Sequence, residues 1–208
     1  MKNIYLLSES KYLDVIHIPT IQIRFIQNSI ILDKFDTLIF TSKNGVRALD
    51  RVWKDWKNIP AISVGRKTAD EVLKLGGRNI FFSKKFYGDI LAKDIVERFS
   101  TRKFLYVRPK TVASNLTETL KMHNIQIAES ILYKTECRSF HTMFSNPIFI
   151  ATSPSTLKCL LKKSIPDNAI FIAIGKTTFK EIPDKYQKFV AQNQTIESCI
   201  SLAKKYFL

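Results

Sequence analysis

Behind the apolar run Leu38-Ile39-Phe40 the chain sets Thr41, Ser42, Lys43, Asn44 and Gly45 side by side. Two hydroxyls, a cation, an amide and a glycine within five residues make a poor core and a good seat for an anion. Small side chains leave backbone N–H groups uncovered, hydroxyls donate, and a helix beginning there adds the positive end of its dipole. The same grouping returns at Thr152-Ser153-Pro154-Ser155-Thr156, behind Phe149-Ile150-Ala151. A further turn follows each: Ser63-Val64-Gly65-Arg66-Lys67-Thr68 after the first and Gly175-Lys176-Thr177-Thr178 after the second. All four stand where a strand hands over to a helix, the edge at which open parallel sheets bind ligands. Carboxylate or phosphate binding suits these residues. Plain helix capping by Ser42, Thr68, Ser153 and Thr178 is the competing reading.

The elements that position these turns come in two sets. Thr41 maps to Thr152 at an offset of 111 residues, and Gly65 to Gly175 and Thr68 to Thr178 at an offset of 110, so two independent motifs keep their spacing. Each set joins short β-branched and aromatic runs to helical patterns, with GDILAKDIVERF closing the first and TIESCISLAKKYF the second. Strands alternating with single helices predict an α/β class with parallel sheets covered on both faces. The stretch 102–127 resembles the N-terminus rather than anything late in the chain, so an interleaved organisation is expected. One α/β domain is continuous, 34–127; the other is discontinuous, 1–18 with 137–208. The extended segments 19–33 and 128–136 link them, pairing as a two-stranded ladder, with the four turns facing an interdomain cleft. Only eight residues separate Leu7 from Ile16, too few for an ordinary helical crossover, so a loop or truncated helix is expected there.

Several chemistries lose support. No dinucleotide fingerprint, phosphate-binding P-loop or nucleophile elbow is present, and His17, His123 and His141 lack metal-ligand spacing. Cys137, Cys159 and Cys199 are odd in number and widely spaced, and read as buried thiols. No cofactor and no metal are expected. The opening apolar stretch is far too short for a signal-peptide core or a membrane span, and a cytoplasmic protein is expected. A net charge of +15 favours a polyanionic partner, whether nucleic acid, an acidic membrane surface or a polycarboxylate metabolite, although free use of lysine gives the same excess. The basic residues are scattered and lack interleaved stacking aromatics, which leans against nucleic acid.

In order and spacing, FTSKNGVRAL, SVGRKTADEVLKLG, ILYKTE, TSPST and AIGKTT resemble the uroporphyrinogen-III synthase family over nearly the whole chain. The resemblance implies two flavodoxin- or Rossmann-like parallel-sheet domains joined by a two-stranded β-ladder. It also implies an activity without cofactor: hydroxymethylbilane, a linear tetrapyrrole bearing acetate and propionate groups, is closed to uroporphyrinogen III with inversion of the last ring and loss of water. Carried onto this chain, Tyr133 of ILYKTE and Thr68, the hydroxyl of the Gly-x-x-Thr motif, are the catalytic residues, Tyr133 as the proton donor, with Thr178 the counterpart of Thr68. Thr41, Ser42, Asn44, Ser63, Gly65, Arg108, Ser153, Ser155, Gly175, Thr177 and Thr178 are then substrate-binding. A monomer is expected, without nucleic acid or membrane, and transient contact with the upstream deaminase is left open. Two departures from the family pattern stand out. Arg108 is followed by Pro109-Lys110 where many relatives carry glycine, and Ala113-Ser114 stand near the place of a second arginine. A non-enzymatic anion-sensing or nucleic-acid-binding module on the same fold is the alternative.

Overall fold

The computed structural model of the chain describes residues 2–27, 34–83, 88–112 and 114–207; part of the expected first linker (28–33) and Ala113 lie outside the described residues. Two compact units are present, Met1–Gln22 with Thr135–Leu208 and Ile23–Lys134. In chain order the strands are β1 (Asn3–Leu6), β2 (Ile16–His17), β3 (Ile21–Phe25), β4 (Thr37–Phe40), β5 (Ala61–Ser63) and β6 (Asn79–Phe82). They continue as β7 (Phe104–Pro109), β8 (Ile127–Cys137), β9 (Pro147–Ala151), β10 (Ile170–Ala173) and β11 (Gln187–Val190). The helices are α1 (Lys43–Val52), α2 (Arg66–Lys74), α3 (Gly88–Arg98), α4 (Leu116–Met122), α5 (Pro154–Leu160), α6 (Lys176–Lys180) and α7 (Ile196–Phe207).

In the continuous unit the sheet order is β3-β8-β7-β4-β5-β6. Its central strand β4 is buried along its length, as a strand covered on both faces must be, so hydrophobicity runs without alternation. Leu38, Phe40, Leu105 and Val107 face Val46 and Leu49 of α1, Val72 of α2, and Trp56. Ile39, Ile62, Phe104 and Tyr106 face Leu91 and Ile95 of α3 and Leu116 and Leu120 of α4. Each fully buried aliphatic side chain contributes roughly 1.5–3 kcal/mol by leaving water. Two polar ties hold the first face. Arg47 makes a two-pronged pair with Glu71, joining α1 to α2 at 2.7 and 3.2 Å, and the Trp56 indole N–H donates to Asp50 at 3.1 Å. Helix α2 ends at Gly76, whose φ of 87° lies in the left-handed region that glycine enters without a Cβ penalty.

The other unit has the order β11-β10-β9-β1-β2, which matches β6-β5-β4-β7-β8 strand for strand. The chain's first two strands thus complete a sheet whose other three come from its last third. Residues 7–15 join β1 to its parallel neighbour β2 without a helix. Side chains of α7 hold this loop: Tyr12 Oη donates to Glu197 at 2.8 Å and Lys204 Nζ to Asp14 at 2.8 Å.

Residues 128–136, expected as a linker, form one unbroken strand with Ile127, and β8 lies parallel to β7 as far as Tyr133. The expected ladder is β3 beside β8. Ile26 N donates to Leu132 O and Arg138 N to Thr20 O, so partner numbers fall as residue numbers rise and the pairing is antiparallel. Both strands carry the chain across the unit boundary.

The cysteines depart from expectation. Cys137, at the end of β8, and Cys159 of α5 form a disulfide with Cα atoms 5.3 Å apart, and Cys199 alone remains a buried thiol. The bridge is a tertiary contact over 22 residues, which cysteine spacing cannot reveal.

Candidate functional site

The carboxyl ends of β4, β5 and β7 and the middle of β8 border a hollow of about 300 Å³ in the continuous unit. Thr41, Ser42 and Tyr133 line it, together with Val64, Asp89 and Tyr106. Each arrives there for a local reason. β4 ends after Phe40, and Ser42 takes the N-cap position of α1 in extended conformation, its side chain accepting from Asn44 N at 3.2 Å. Gly45 then passes close under β7: a Cβ there would stand 3.1 Å from Val107 O and 3.7 Å from the Tyr133 ring. The glycine is a matter of close approach.

Tyr133 owes its place to an irregularity. Arg108 faces Ile131, but Pro109 faces Tyr133, so Leu132 is the extra residue of a bulge in β8. Consecutive strand residues ordinarily point to opposite faces; here Leu132 and Tyr133 both join the cluster against α1. Pro109 has no N–H to give and ends β7 at the bulge, while Lys110 N resumes the pairing by donating to Tyr133 O at 2.8 Å.

Tyr133 is 3% exposed. Burial pushes its phenol up to about 12, and the nearby Ser42 hydroxyl only partly opposes this. The group therefore stays protonated across the neutral range. Tyr133 and Ser42 both line the hollow, and a protonated phenol there can donate to a group that enters it. Burial also raises the phenol of Tyr106, which meets Thr41 Oγ1 at 2.9 Å.

Other residues named from sequence have different surroundings. Ser63 is fully buried and donates to Asn79 at 2.6 Å, tying β5 to β6. Arg108 donates to Glu129 at 2.9 Å and to the carbonyls of Pro109 and Lys110. Glu129 also accepts from Thr117, so the arginine charge is matched within the sheet. Gly65, not Thr68, is the N-cap of α2 and supplies no side-chain cap. Among the described residues the N–H groups of Arg66 and Lys67 find no acceptor. Thr68 is buried in the first turn of α2, 6% exposed.

In the discontinuous unit, Ser153 and Thr156 form a reciprocal capping box at α5, and Ser155 Oγ lies 3.0 Å from Ser153 Oγ. This cluster satisfies itself. Gly175 is the N-cap of α6, and the Gln194 side chain lies 3.2 Å from where a Cβ would stand. Thr177 is exposed and Thr178 buried. Sequence reasoning missed Tyr106, Asp89, Thr111 and Ser114 at the hollow. Tyr106 is brought there by strand register, Asp89 by the first turn of α3 and Thr111 and Ser114 by the loop after β7, none of which a local pattern encodes.

Among the described residues no three His, Cys, Asp or Glu side chains gather as a metal would require, and no helix is long and apolar enough to cross a membrane.

A family model described as uroporphyrinogen-III synthase HemD matches residues 6–201. The uroporphyrinogen-III synthase of Synechococcus elongatus is 27% identical over 139 residues, covering 60% of this chain. The match spans about half of that relative, 53% of its length. Among solved structures, the uroporphyrinogen-III synthetase of Helicobacter pylori superposes with a TM-score of 0.86 at 22% identity, covering 99% of both chains. A mutant uroporphyrinogen III synthase of Thermus thermophilus superposes with a TM-score of 0.61 at 10% identity, covering 99% of this chain and 98% of that one. At these identities the two superpositions speak for the fold.

Proposed function

The chain belongs to the uroporphyrinogen-III synthase family, and from that premise we propose that it closes hydroxymethylbilane to uroporphyrinogen III at the hollow beside Tyr133, with inversion of the last ring and loss of water. The observation that carries the reading is the placement of Tyr133, a buried phenol that lines the hollow together with Thr41 and Ser42.

The chemistry asks for one proton at the right place. Tyr133 donates to the substrate hydroxyl as its bond to carbon breaks, so that it leaves as water and an azafulvene cation remains. The phenolate formed is stabilised by Ser42 and by the cation beside it. The substituted carbon of the last ring attacks, giving a spiro intermediate that fragments and recloses inverted. The proton lost as the ring regains aromaticity returns to the phenolate, so the enzyme is unchanged and the balance is one water. Unassisted closure gives the uninverted type I isomer, so orientation of the chain ends decides the product. Thr41, Ser42, Asn44 and the open N–H groups behind Gly65 suit the binding of acetate and propionate groups, with Thr68 supporting that turn. The reading extends to a cytoplasmic monomer that receives the labile bilane in transient contact with the upstream deaminase.

The test is to generate hydroxymethylbilane in situ with the deaminase, add this protein, oxidise the products and separate the isomers by chromatography. Predominantly type III is expected. Only type I from protein shown to be folded would overturn the assignment.

A further inference from the structure

Tyr106 stands opposite Ile39 in the β4–β7 register, on the face packed against α3 and α4. Alternation puts Thr41, two residues past Ile39, on that same face, and the two hydroxyl oxygens meet at 2.9 Å. Tyr106 is 2% exposed, yet with Thr41 it bounds the hollow into which Tyr133 reaches from the other face. Two hydroxyls sharing one hydrogen bond hold two O–H groups and spend one between them. Whichever donates, the other O–H remains for a third partner.

The repeat supplies an internal comparison. In the discontinuous unit β9 and β1 correspond to β4 and β7, and Leu6 stands opposite Ile150 where Tyr106 stands opposite Ile39. With no phenol in reach, Thr152 donates to Leu7 O at 3.0 Å. The fold therefore satisfies a strand-end threonine with backbone alone. In the continuous unit a phenol has been buried in that role, which sets a second hydroxyl at the hollow.

Resting on the synthase reading above, we propose that Thr41 and Tyr106 act as one hydroxyl pair that donates a hydrogen bond to a substrate carboxylate, making Tyr106 a substrate-positioning residue that controls the isomer formed. Tyr106→Phe keeps the ring and removes the oxygen. It is expected to lower kcat/KM about tenfold, the scale of one hydrogen bond to a charged group, chiefly through KM, and to raise the share of type I product. Thr41→Val is expected to do the same, and the double variant to be no worse than either within about twofold, because the pair acts as a unit. Thr41→Ser should restore most of what Thr41→Val loses. Thermal midpoints of all variants separate this from a folding defect, which would not alter KM or the isomer ratio of the folded fraction.

Parent protein that forms type III, with Tyr106→Phe within twofold of it in kcat/KM and isomer ratio, would overturn the inference while the synthase reading stands. Multiplicative losses in the double variant would also overturn it. Parent protein that yields only type I would overturn the synthase reading and this inference with it.

Discussion

Tyr133→Phe offers a test that needs no substrate. The phenol is pushed up to about 12 in the folded chain, against about 10 in an unfolded one. A folded pKa raised above the unfolded value means that stability is intact below pH 10 and is lost as pH rises from 10 to 12, because only the unfolded chain releases the proton easily. At 1.36 kcal/mol per pH unit the loss owed to this one group is on the order of 1 kcal/mol by pH 11 and about 2 kcal/mol by pH 12. Lysines titrate in the same range, so the quantity to measure is the difference between parent and variant. Urea denaturation at pH 8 and at pH 11 reads it directly. At pH 8 the two should lie within about 1 kcal/mol, since the variant loses one neutral hydrogen bond and is relieved of burying a hydroxyl. At pH 11 the variant should have gained on the parent by on the order of 1 kcal/mol. Parallel pH profiles would refute the claim that burial holds this phenol protonated. In turnover the same variant is expected to fall 10²- to 10⁴-fold, the range of general acid catalysis.

Gly45→Ala brings a Cβ to 3.1 Å from Val107 O and is expected to cost about 1–2 kcal/mol in urea denaturation, with a loss of turnover greater than the lost folded fraction because Tyr133 moves. Burial works to raise the Glu129 carboxyl, but hydrogen bonds from Thr117 and Arg108 outweigh it and hold the group below the usual range. Its contribution is therefore present above about pH 4.5 and lost as pH falls through the lowered value. Glu129→Gln should cost about 1–2 kcal/mol at pH 7 and converge with the parent as acid protonates the carboxylate, checked by denaturation across the acidic range. Thiol titration should find no reactive group in the native oxidised protein, since burial pushes Cys199 up to about 12. It should find one after denaturation and three after reduction.

The α/β class was legible because fully buried strands such as Ile148-Phe149-Ile150 read as short unbroken apolar runs between helical patterns. The strand-end turns were legible because threonine, serine and glycine cluster where a chain must expose backbone. What escaped depends on partners remote in sequence. Nothing local to Leu132-Tyr133 announces a bulge, since the extra residue is defined only against Arg108-Pro109. Tyr106 carries no local signal of its own, and only register sets it beside Thr41. Arg108 was expected to bind substrate, and its partner Glu129, 21 residues away on the next strand, could not be paired with it from sequence. Ser63 looked like its neighbours in the turn motifs, yet it is the last residue of β5 and its hydroxyl is taken by Asn79.

The interleaved strand order also has a consequence in time. Synthesis delivers β1 well before its partner β9, with Asn3 facing Pro147, so at about 5–20 residues per second the earlier strand waits roughly seven to thirty seconds for its neighbour. During that interval Ile4, Tyr5 and Leu6 form an apolar ribbon with one ladder unfilled, while residues 23–134 have emerged in full and can fold behind it. The nascent chain thus carries a finished body and an unpaired apolar strand together. Growth conditions that slow elongation lengthen the time for which that strand waits.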